Sequence, residues 1–145
     1  MSLEIFYFDI NYAQKTHDWI IETSGGLHGV YDLGLLQSPL EHIQNDDYYP
    51  TFEDKLLHLI FSINKNHVFV DGNKRSSLVL GAYFLKINGY DYCIENYMYE
   101  MENIIVWVAE GKIDKELLRE ILVEIIGYDD FSEELKLKIY NAIIS

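Results

Sequence analysis

The chain has 145 residues, of which 24 are acidic and 11 are basic, so its formal net charge is −13. Apolar residues make up 49% and charged residues 24%, which is typical of a single globular domain and excludes a disordered or collagen-like chain. The negative charge disfavours sequence-independent binding to nucleic acid, and no apolar run reaches the roughly 18 residues that a membrane span requires.

The sequence predicts neither secretion by a signal peptide nor disulfide chemistry. The N-terminal segment lacks the basic region and the small-residue cleavage site of a signal peptide. Cys93 is the only cysteine, which excludes an intramolecular disulfide and a multi-cysteine zinc site. We therefore expect a cytoplasmic protein. The apolar run over residues 5–8 predicts a short N-terminal strand, with an extended arm as the alternative.

Two helices and a glycine-rich loop are predicted next. Asn11 is expected to cap a helix over residues 12–24, which ends at the glycine pair that follows it because glycine tolerates the left-handed conformation. Three glycines in the next stretch predict a mobile or sharply bent loop over residues 25–32. A short helix over residues 35–43 follows, and the alternative is a later start that places Pro39 in its first turn.

The middle of the chain carries the strongest helical pattern. Thr51 and Asp54 nearly form a capping box, and apolar residues at helical spacing predict a helix that ends near Asn64 or Asn66. A second helix over residues 74–88 is almost wholly apolar in its central part, as is typical of the buried centre of a bundle. Three more helices complete a mostly α, compact bundle, and they are predicted over residues 96–110, 115–126 and 132–144.

The segment that joins the two central helices is polar where packing alone would not require it. A helix N-terminus presents unpaired N–H groups and a partial positive charge, which suits phosphate. Lys74 and Arg75 at this N-terminus oppose the helix dipole and cost about 0.3–1 kcal/mol each, so a bound anion is the expected compensation. Asp71 is a hard oxygen ligand that can hold Mg²⁺, and His67 can accept a proton from an incoming hydroxyl.

Each of these residues has an ordinary interpretation when it is taken alone. A single histidine such as His67 is more often a surface or packing residue than a base. Asp71 and Asn73 are common helix caps, and a lysine–arginine pair is usually a solvated surface. The hypothesis therefore depends on their combination within nine residues. The segment is not the nucleotide-binding P-loop, because Asn73 precedes Lys74 and an arginine follows it.

These residues match the motif His-x-Phe-x-Asp/Glu-Gly-Asn-x-Arg, and at this point the chain resembles the Fic/Doc (Fido) family, most closely its Doc, or death-on-curing, branch. The matching residues are His67, Phe69, Asp71, Gly72, Asn73 and Arg75. The likeness extends to residues 25–36, to Tyr49-Pro50 and to residues 84–90. It covers roughly residues 10–115.

The resemblance implies a single Fic/Doc (Fido) domain over residues 1–145, with a C-terminal helical extension from about residue 128 and a flap over the site. Members of the family transfer part of a nucleotide to a hydroxyl of a target protein. By resemblance, His67 is the general base and Asp71 holds Mg²⁺. The phosphates of ATP bind a nest formed by Gly72, Asn73, Lys74 and Arg75, and Gly29 and Val30 belong to the flap that aligns the target.

Two departures from the family pattern bear on the reaction. Lys74 stands where AMP-transferring members have glycine, and Leu78 stands where they have a second arginine that holds the γ-phosphate. Doc-type toxins share this lysine and act as kinases on the translation factor that delivers aminoacyl-tRNA. We therefore favour transfer of the γ-phosphate of ATP to a Ser or Thr hydroxyl. The alternatives are AMP transfer and a non-catalytic binding module on a Fic scaffold.

The sequence also bears on how such an activity would be restrained. Many Fic proteins carry the inhibitory motif Ser/Thr-x-x-x-Glu-Gly/Asn, but no Ser or Thr here has Glu at the fourth position after it. The resemblance to Doc implies a separate antitoxin protein whose tail folds into an apolar groove. Residues 106–108 are candidates for that groove or for the core. The helix over 132–144 is a packing element, a dimer contact or an internal substitute for the antitoxin.

Overall fold

The computed structural model describes residues 4–145, and within that range the chain forms seven α-helices. They are α1 (Ile10–Ser24), α2 (Gly34–His42), α3 (Phe52–Lys65), α4 (Asn73–Ile87), α5 (Ile94–Ala109), α6 (Lys115–Gly127) and α7 (Glu133–Ile143). A single 3₁₀ turn over Asp91–Cys93 leads into α5. The predicted mostly α, compact helical fold is confirmed.

The helices α3 and α4 form the centre of the bundle. α4 packs against α1, α3 and α5, while α3 also contacts α2 and α6. The apolar positions predicted on these two helices are buried, which confirms that they carry the core. They include Leu56, Leu59, Ile60, Ile63, Leu80, Phe84 and Leu85. The core therefore holds the loop between α3 and α4 at one end of the bundle.

Gly81 lets α4 come close to its neighbours. A Cβ atom at this position would collide with the hydroxyl of Tyr97 and would lie 2.9 Å from Cδ1 of Ile60. Tyr97 is fully buried, and its hydroxyl donates a hydrogen bond to the carbonyl of Leu78 at 3.0 Å. The missing side chain of Gly81 therefore creates the space in which α5 places a buried tyrosine.

Residues 4–9 form an extended arm, so the predicted N-terminal strand is wrong. The N–H of Phe6 donates to Oδ1 of Asn88 at 2.8 Å, and the carbonyl of Phe6 accepts from Nδ2 of Asn88 at 2.9 Å. One side-chain amide therefore replaces the partner that a strand requires, and no strand forms within residues 4–145. Residues 1–3, on which the expectation of no signal peptide partly rests, lie outside the described residues.

Two details of the helix ends differ from the prediction. Asp9, rather than Asn11, caps α1, because its extended backbone lets its carboxylate accept the N–H of Tyr12 at 2.9 Å. Pro39 lies inside α2 rather than in its first turn, because the N–H of Gly34 is already bound by Asp32 at 2.9 Å and the helix begins there. The other boundaries differ by only one or two residues.

The predicted capping box at the start of α3 is present. The hydroxyl of Thr51 accepts the N–H of Asp54 at 3.1 Å, and the carboxylate of Asp54 accepts the N–H of Thr51 at 3.3 Å. Asp54 also forms an ion pair with Arg119 of α6 at 2.9 Å. The cap therefore fixes the start of α3 and links it to α6.

The C-terminal helix α7 packs against α6. Leu135 is its buried residue, while Leu137 and Tyr140 are exposed. The single domain over residues 1–145, with an extension from about residue 128, stays a prediction. None of the helices in residues 4–145 is long and apolar enough to cross a membrane.

A half-buried histidine on α3 makes stability depend on pH. Burial, together with the charge of Lys115 and the proximity of His42, lowers the pKa of His58 from 6.5 to about 4. Because the unfolded chain takes up this proton more readily, stability is fully present above about pH 6.5 and falls as the pH drops towards 4. We expect His58→Gln to flatten the dependence of Tm on pH between these values.

The measurement is thermal unfolding, followed by circular dichroism, of both proteins across this pH range. His28→Gln is the control, because His28 is exposed in the glycine-rich loop and is not among the groups that lower the pKa of His58. An equally steep fall of Tm in His58→Gln and in the native chain would contradict the assignment.

Candidate active site

The loop over residues 66–72 connects α3 to α4 and is closed by a side chain. Oδ1 of Asn73 accepts the N–H of Phe69 at 3.0 Å, and its Nδ2 donates to the carbonyl of Phe69 at 2.9 Å. Phe69 itself is 1% exposed. The Asn73 amide, which the sequence led us to expect on a phosphate, therefore holds the loop against the core.

The N-terminus of α4 has no side-chain cap among the described residues. Its N-cap residue is Gly72, whose φ of +81° is a conformation that favours glycine. The first-turn N–H groups of a helix have no partner within the helix, and no side chain of residues 4–145 supplies one here. This end of α4 is therefore open to an anion.

His67 lies at the mouth of the same loop. Its side chain is exposed, and its backbone φ is +50°, the one positive φ of a non-glycine residue within residues 4–145. Helices commonly end on a glycine in this conformation, so a histidine here costs backbone strain. The chain thus keeps an imidazole where stability alone favours glycine.

A cleft of about 310 Å³ opens beside these residues. Three of its lining side chains, Lys65, Lys74 and Arg75, are cations on a chain of net charge −13. Oδ1 of Asn64 is buried in the same wall and has no hydrogen-bond partner among the described residues. The full lining is Asn64, Lys65, His67, Val70, Asp71, Gly72, Asn73, Lys74, Arg75 and Ala109.

Asp71 presents an ionised carboxylate to this cleft. Its Oδ2 accepts the N–H of Leu27 at 3.1 Å, and its Oδ1 accepts the N–H of Gly72 at 2.8 Å. These bonds, first that from Leu27 and then that from Gly72, lower the pKa of the Asp71 carboxyl, and nearby Arg75 adds to the effect. Each oxygen keeps a further lone pair, so the carboxylate fits a cation such as Mg²⁺ as one ligand beside a phosphate.

The two cations of the motif have different surroundings. Nη1 of Arg75 donates to the hydroxyl of Ser24 at 2.6 Å and to the carbonyl of Gly25 at 2.7 Å, and Nη2 lies 3.7 Å from Oδ1 of Asp71. Arg75 therefore joins the end of α1 to the start of α4. The exposed ammonium group of Lys74 has no hydrogen-bond or ion-pair partner within residues 4–145.

The glycine-rich segment lies alongside the motif loop. The carbonyl of Gly29 accepts the N–H of Val70 at 3.0 Å, and Val30 forms an antiparallel bridge with Phe69. Residues 25–32 form backbone hydrogen bonds along one edge and are otherwise exposed. The structure thus brings the predicted flap residues, Gly29 and Val30, next to the predicted catalytic loop.

Gly26 packs directly on the Asp71 carboxylate. A Cβ atom at this position would lie 2.6 Å from Oδ2 of Asp71 and 3.0 Å from Nη2 of Arg75. We expect Gly26→Ala to weaken the predicted binding of Mg²⁺–ATP by about 10–100-fold, because displacements near 1 Å in a site have effects of this size. Calorimetric titration with Mg²⁺–ATP measures the loss.

The control for this change is Gly25→Ala. Gly25 also has a positive φ, +89°, but its Cβ would meet nothing within 4 Å. The two variants share the backbone strain, so equal losses of binding in both would show that crowding of the carboxylate is not the cause.

One residue of the site, His17 of α1, was missed in the sequence. It is 1% exposed, its Nε2 lies 2.6 Å from the carbonyl of Asp71, and its ring stacks on Phe69 with the centroids 3.7 Å apart. The available signal was a polar residue on the buried face of α1, one turn after Ala13. Its partner lies 54 residues further along the chain, so spacing alone could not reveal it.

Two comparisons with known proteins identify the family of this chain. A sequence model of the Fic/DOC family matches residues 7–85, which run from the N-terminal arm through the motif loop into α4. Toxin Doc of Mycolicibacterium smegmatis is 33% identical over 108 residues, which are 72% of this chain and 81% of that protein. The motif, the helical fold and both matches agree, and the chain belongs to the Fic/DOC family.

Proposed function

We propose that this protein is a Doc-like toxin that transfers the γ-phosphate of ATP to a Ser or Thr hydroxyl of a target protein. The observation that carries the proposal is the cleft, in which His67 lies beside an uncapped helix N-terminus and two cations, Lys74 and Arg75. The similarity to a protein named Toxin Doc supports the toxin role. A component of the translation machinery is the proposed target, which places the reaction in the cytoplasm.

Binding of the phosphates rests on charge and on the orientation of backbone groups. The open N–H groups at the start of α4 and the ammonium group of Lys74 can bind an anion with little rearrangement of the protein. Phosphoryl transfer involves little covalent chemistry by the protein, so positioning and neutralisation of charge supply most of the acceleration. Asp71 would hold Mg²⁺ against the phosphates, and the cation would neutralise their developing charge.

His67 supplies the acid–base chemistry. The target hydroxyl oxygen attacks the γ-phosphorus while the bond from that phosphorus to the β–γ bridging oxygen breaks. The hydroxyl proton passes to the imidazole of His67, and ADP leaves with the bridging oxygen. The exposed position of His67 at the cleft mouth suits a base that must reach a group on another protein.

The surroundings of Leu78 favour γ-phosphate transfer over AMP transfer. Leu78 lines an apolar groove of about 580 Å³ together with Lys74, Arg75 and Val106. Because this position holds leucine, it has no arginine to hold a second phosphate in the manner of AMP-transferring relatives. Lys74 instead adds a positive charge at the boundary between the cleft and the groove.

The test uses ATP labelled at either phosphate. Purified protein is incubated with a bacterial lysate and [γ-³²P]ATP or [α-³²P]ATP, and the labelled proteins are separated. We expect label on a protein band only from the γ position, and its loss in His67→Ala. Retention of label only from the α position would establish AMP transfer instead, and absence of label from both would favour a non-catalytic binding module.

The same groove is the proposed contact for an antitoxin. Val106 lines it, whereas Trp107 faces a second groove, beside α7, and Val108 is fully buried in the core. The predicted run over residues 106–108 is thus divided among three environments. An amphipathic helix is the form of partner that fits an apolar groove between two helices.

A further inference from the structure

A buried histidine outside the motif is tied to the residue proposed to hold the metal. We propose that His17 is a positioning residue that sets the orientation of the Asp71 carboxylate. This inference rests on the proposed function and goes beyond it, because it assigns a role to a residue of α1. His17 lies under the loop, 1% exposed, and does not line the cleft.

The hydrogen bond of His17 has a defined direction. The carbonyl oxygen of Asp71, 2.6 Å from Nε2, can only accept. The ring therefore carries a proton on Nε2 and donates it to the loop. Nδ1 lies 3.7 Å from Oδ1 of the exposed Asp18, a separation beyond ordinary hydrogen-bond distance. Within residues 4–145, the one close polar contact of the ring is thus the loop carbonyl.

This bond controls which way the peptide between Asp71 and Gly72 faces. In a planar trans peptide the C=O and N–H groups point in opposite directions. With the carbonyl held by His17, the N–H of Gly72 points away from α1, and there it donates to Oδ1 of Asp71 at 2.8 Å. Rotation of this peptide would remove the bond that holds the carboxylate.

The carboxylate is then fixed from two sides. Gly72 holds Oδ1, and the N–H of Leu27 holds Oδ2 at 3.1 Å. His17 also packs against Gly72, where a Cβ atom would lie 3.4 Å from Nε2. The position of α1 therefore determines, through the carbonyl of Asp71, where the carboxylate oxygens of Asp71 lie.

A space-filling role alone does not explain a histidine at this position. An apolar side chain would fill the same space without burying a polar ring, which is costly unless the ring is hydrogen-bonded. The ring nevertheless packs well, since its plane lies 8° from that of Phe69. Substitutions can remove the ring stacking and the hydrogen bond of His17 one at a time, and this provides the test.

Two variants divide these contributions. His17→Phe keeps an aromatic ring over Phe69 but leaves the Asp71 carbonyl without its donor. His17→Gln loses the ring but keeps an N–H group near the place of Nε2. Ala13→Gly is the control, because it destabilises the same buried face of α1 one turn away from His17.

The first readout is hydrogen exchange of the Gly72 amide by NMR, normalised to the core amide of Leu80. Since a lost buried hydrogen bond frees the peptide, we expect His17→Phe to speed this exchange at least about tenfold. His17→Gln should stay within about threefold of the native chain. Ala13→Gly should leave the normalised rate unchanged, although it lowers Tm.

The second readout is the affinity for Mg²⁺–ATP by calorimetry, at a temperature where each variant is folded. We expect the affinity to fall about tenfold in His17→Phe and to be largely retained in His17→Gln. A native Gly72 exchange rate or a native affinity in folded His17→Phe would overturn the inference. If His17→Phe does not fold, faster Gly72 exchange in His17→Gln than in Ala13→Gly would also overturn it.

The two readouts separate failure of this inference from failure of the proposed function. If the native chain binds no Mg²⁺–ATP, the proposed function fails, while the exchange of the Gly72 amide still decides whether His17 positions the loop. If the native chain binds and the variants match it in both readouts, the proposed function stands and His17 only fills space.

Discussion

Replacing His67 with alanine is expected to slow transfer to the target hydroxyl by about 10²–10⁴-fold, the usual contribution of a general base. His67 is the imidazole at the mouth of the cleft, and the phosphate-facing groups of α4 do not depend on it. The affinity for Mg²⁺–ATP should therefore change little. Initial rates of label transfer from [γ-³²P]ATP, with a calorimetric titration in parallel, measure the two effects.

The control is His42→Ala, which removes an exposed imidazole on α2 outside the cleft lining. Stability provides an independent check at His67, because its φ of +50° is strained for a side chain and unstrained for glycine. His67→Gly should thus raise Tm while it slows transfer as strongly as His67→Ala does. Native transfer rates in both His67 variants would refute the role of His67 as base.

Adding one methyl group at Gly81 should lower the free energy of unfolding by about 1–3 kcal/mol, as is typical of overpacking in a close-packed core. The new Cβ collides with the hydroxyl of buried Tyr97 and crowds the side chain of Ile60. Relief of the collision moves Tyr97 and endangers its hydrogen bond to Leu78. Urea unfolding followed by circular dichroism measures the change.

The same substitution at Gly127 is the matched control. Gly127 ends α6, and a Cβ there would meet nothing within 4 Å. Alanine has the higher helix propensity, so Gly127→Ala should be neutral or stabilising by up to about 1 kcal/mol. Equal destabilisation by the two changes would show that crowding between α4 and α5 is not what Gly81 avoids.

The helices of this protein could be predicted because their signals are local. The apolar spacing in α3 and the capping box of Thr51 and Asp54 lie within a few residues of each other, and both appear in the structure. The strand over residues 5–8 was wrong for a non-local reason. Its pairing groups are satisfied by Asn88, which no pattern near the N-terminus reveals.

The nine residues of the motif loop also combine features that the sequence predicted with contacts that it did not. Residue types from His67 to Arg75 predicted a phosphate-binding turn at a helix entrance, because the helix start and its charges are contiguous in sequence. The contacts that each side chain makes were not predictable from the sequence. The amide of Asn73 closes the loop on Phe69, and the guanidinium of Arg75 reaches the end of α1.

The sequence by itself determined the helical class, the buried central pair of helices and the position of the candidate catalytic loop, because periodicity, caps and a contiguous motif act over short distances. Only the tertiary structure decided that Leu27 binds the carboxylate of Asp71 and that His17 binds its backbone carbonyl. Those partners are 44 and 54 residues away along the chain. Contacts over such separations exist only after α1 has packed against α4.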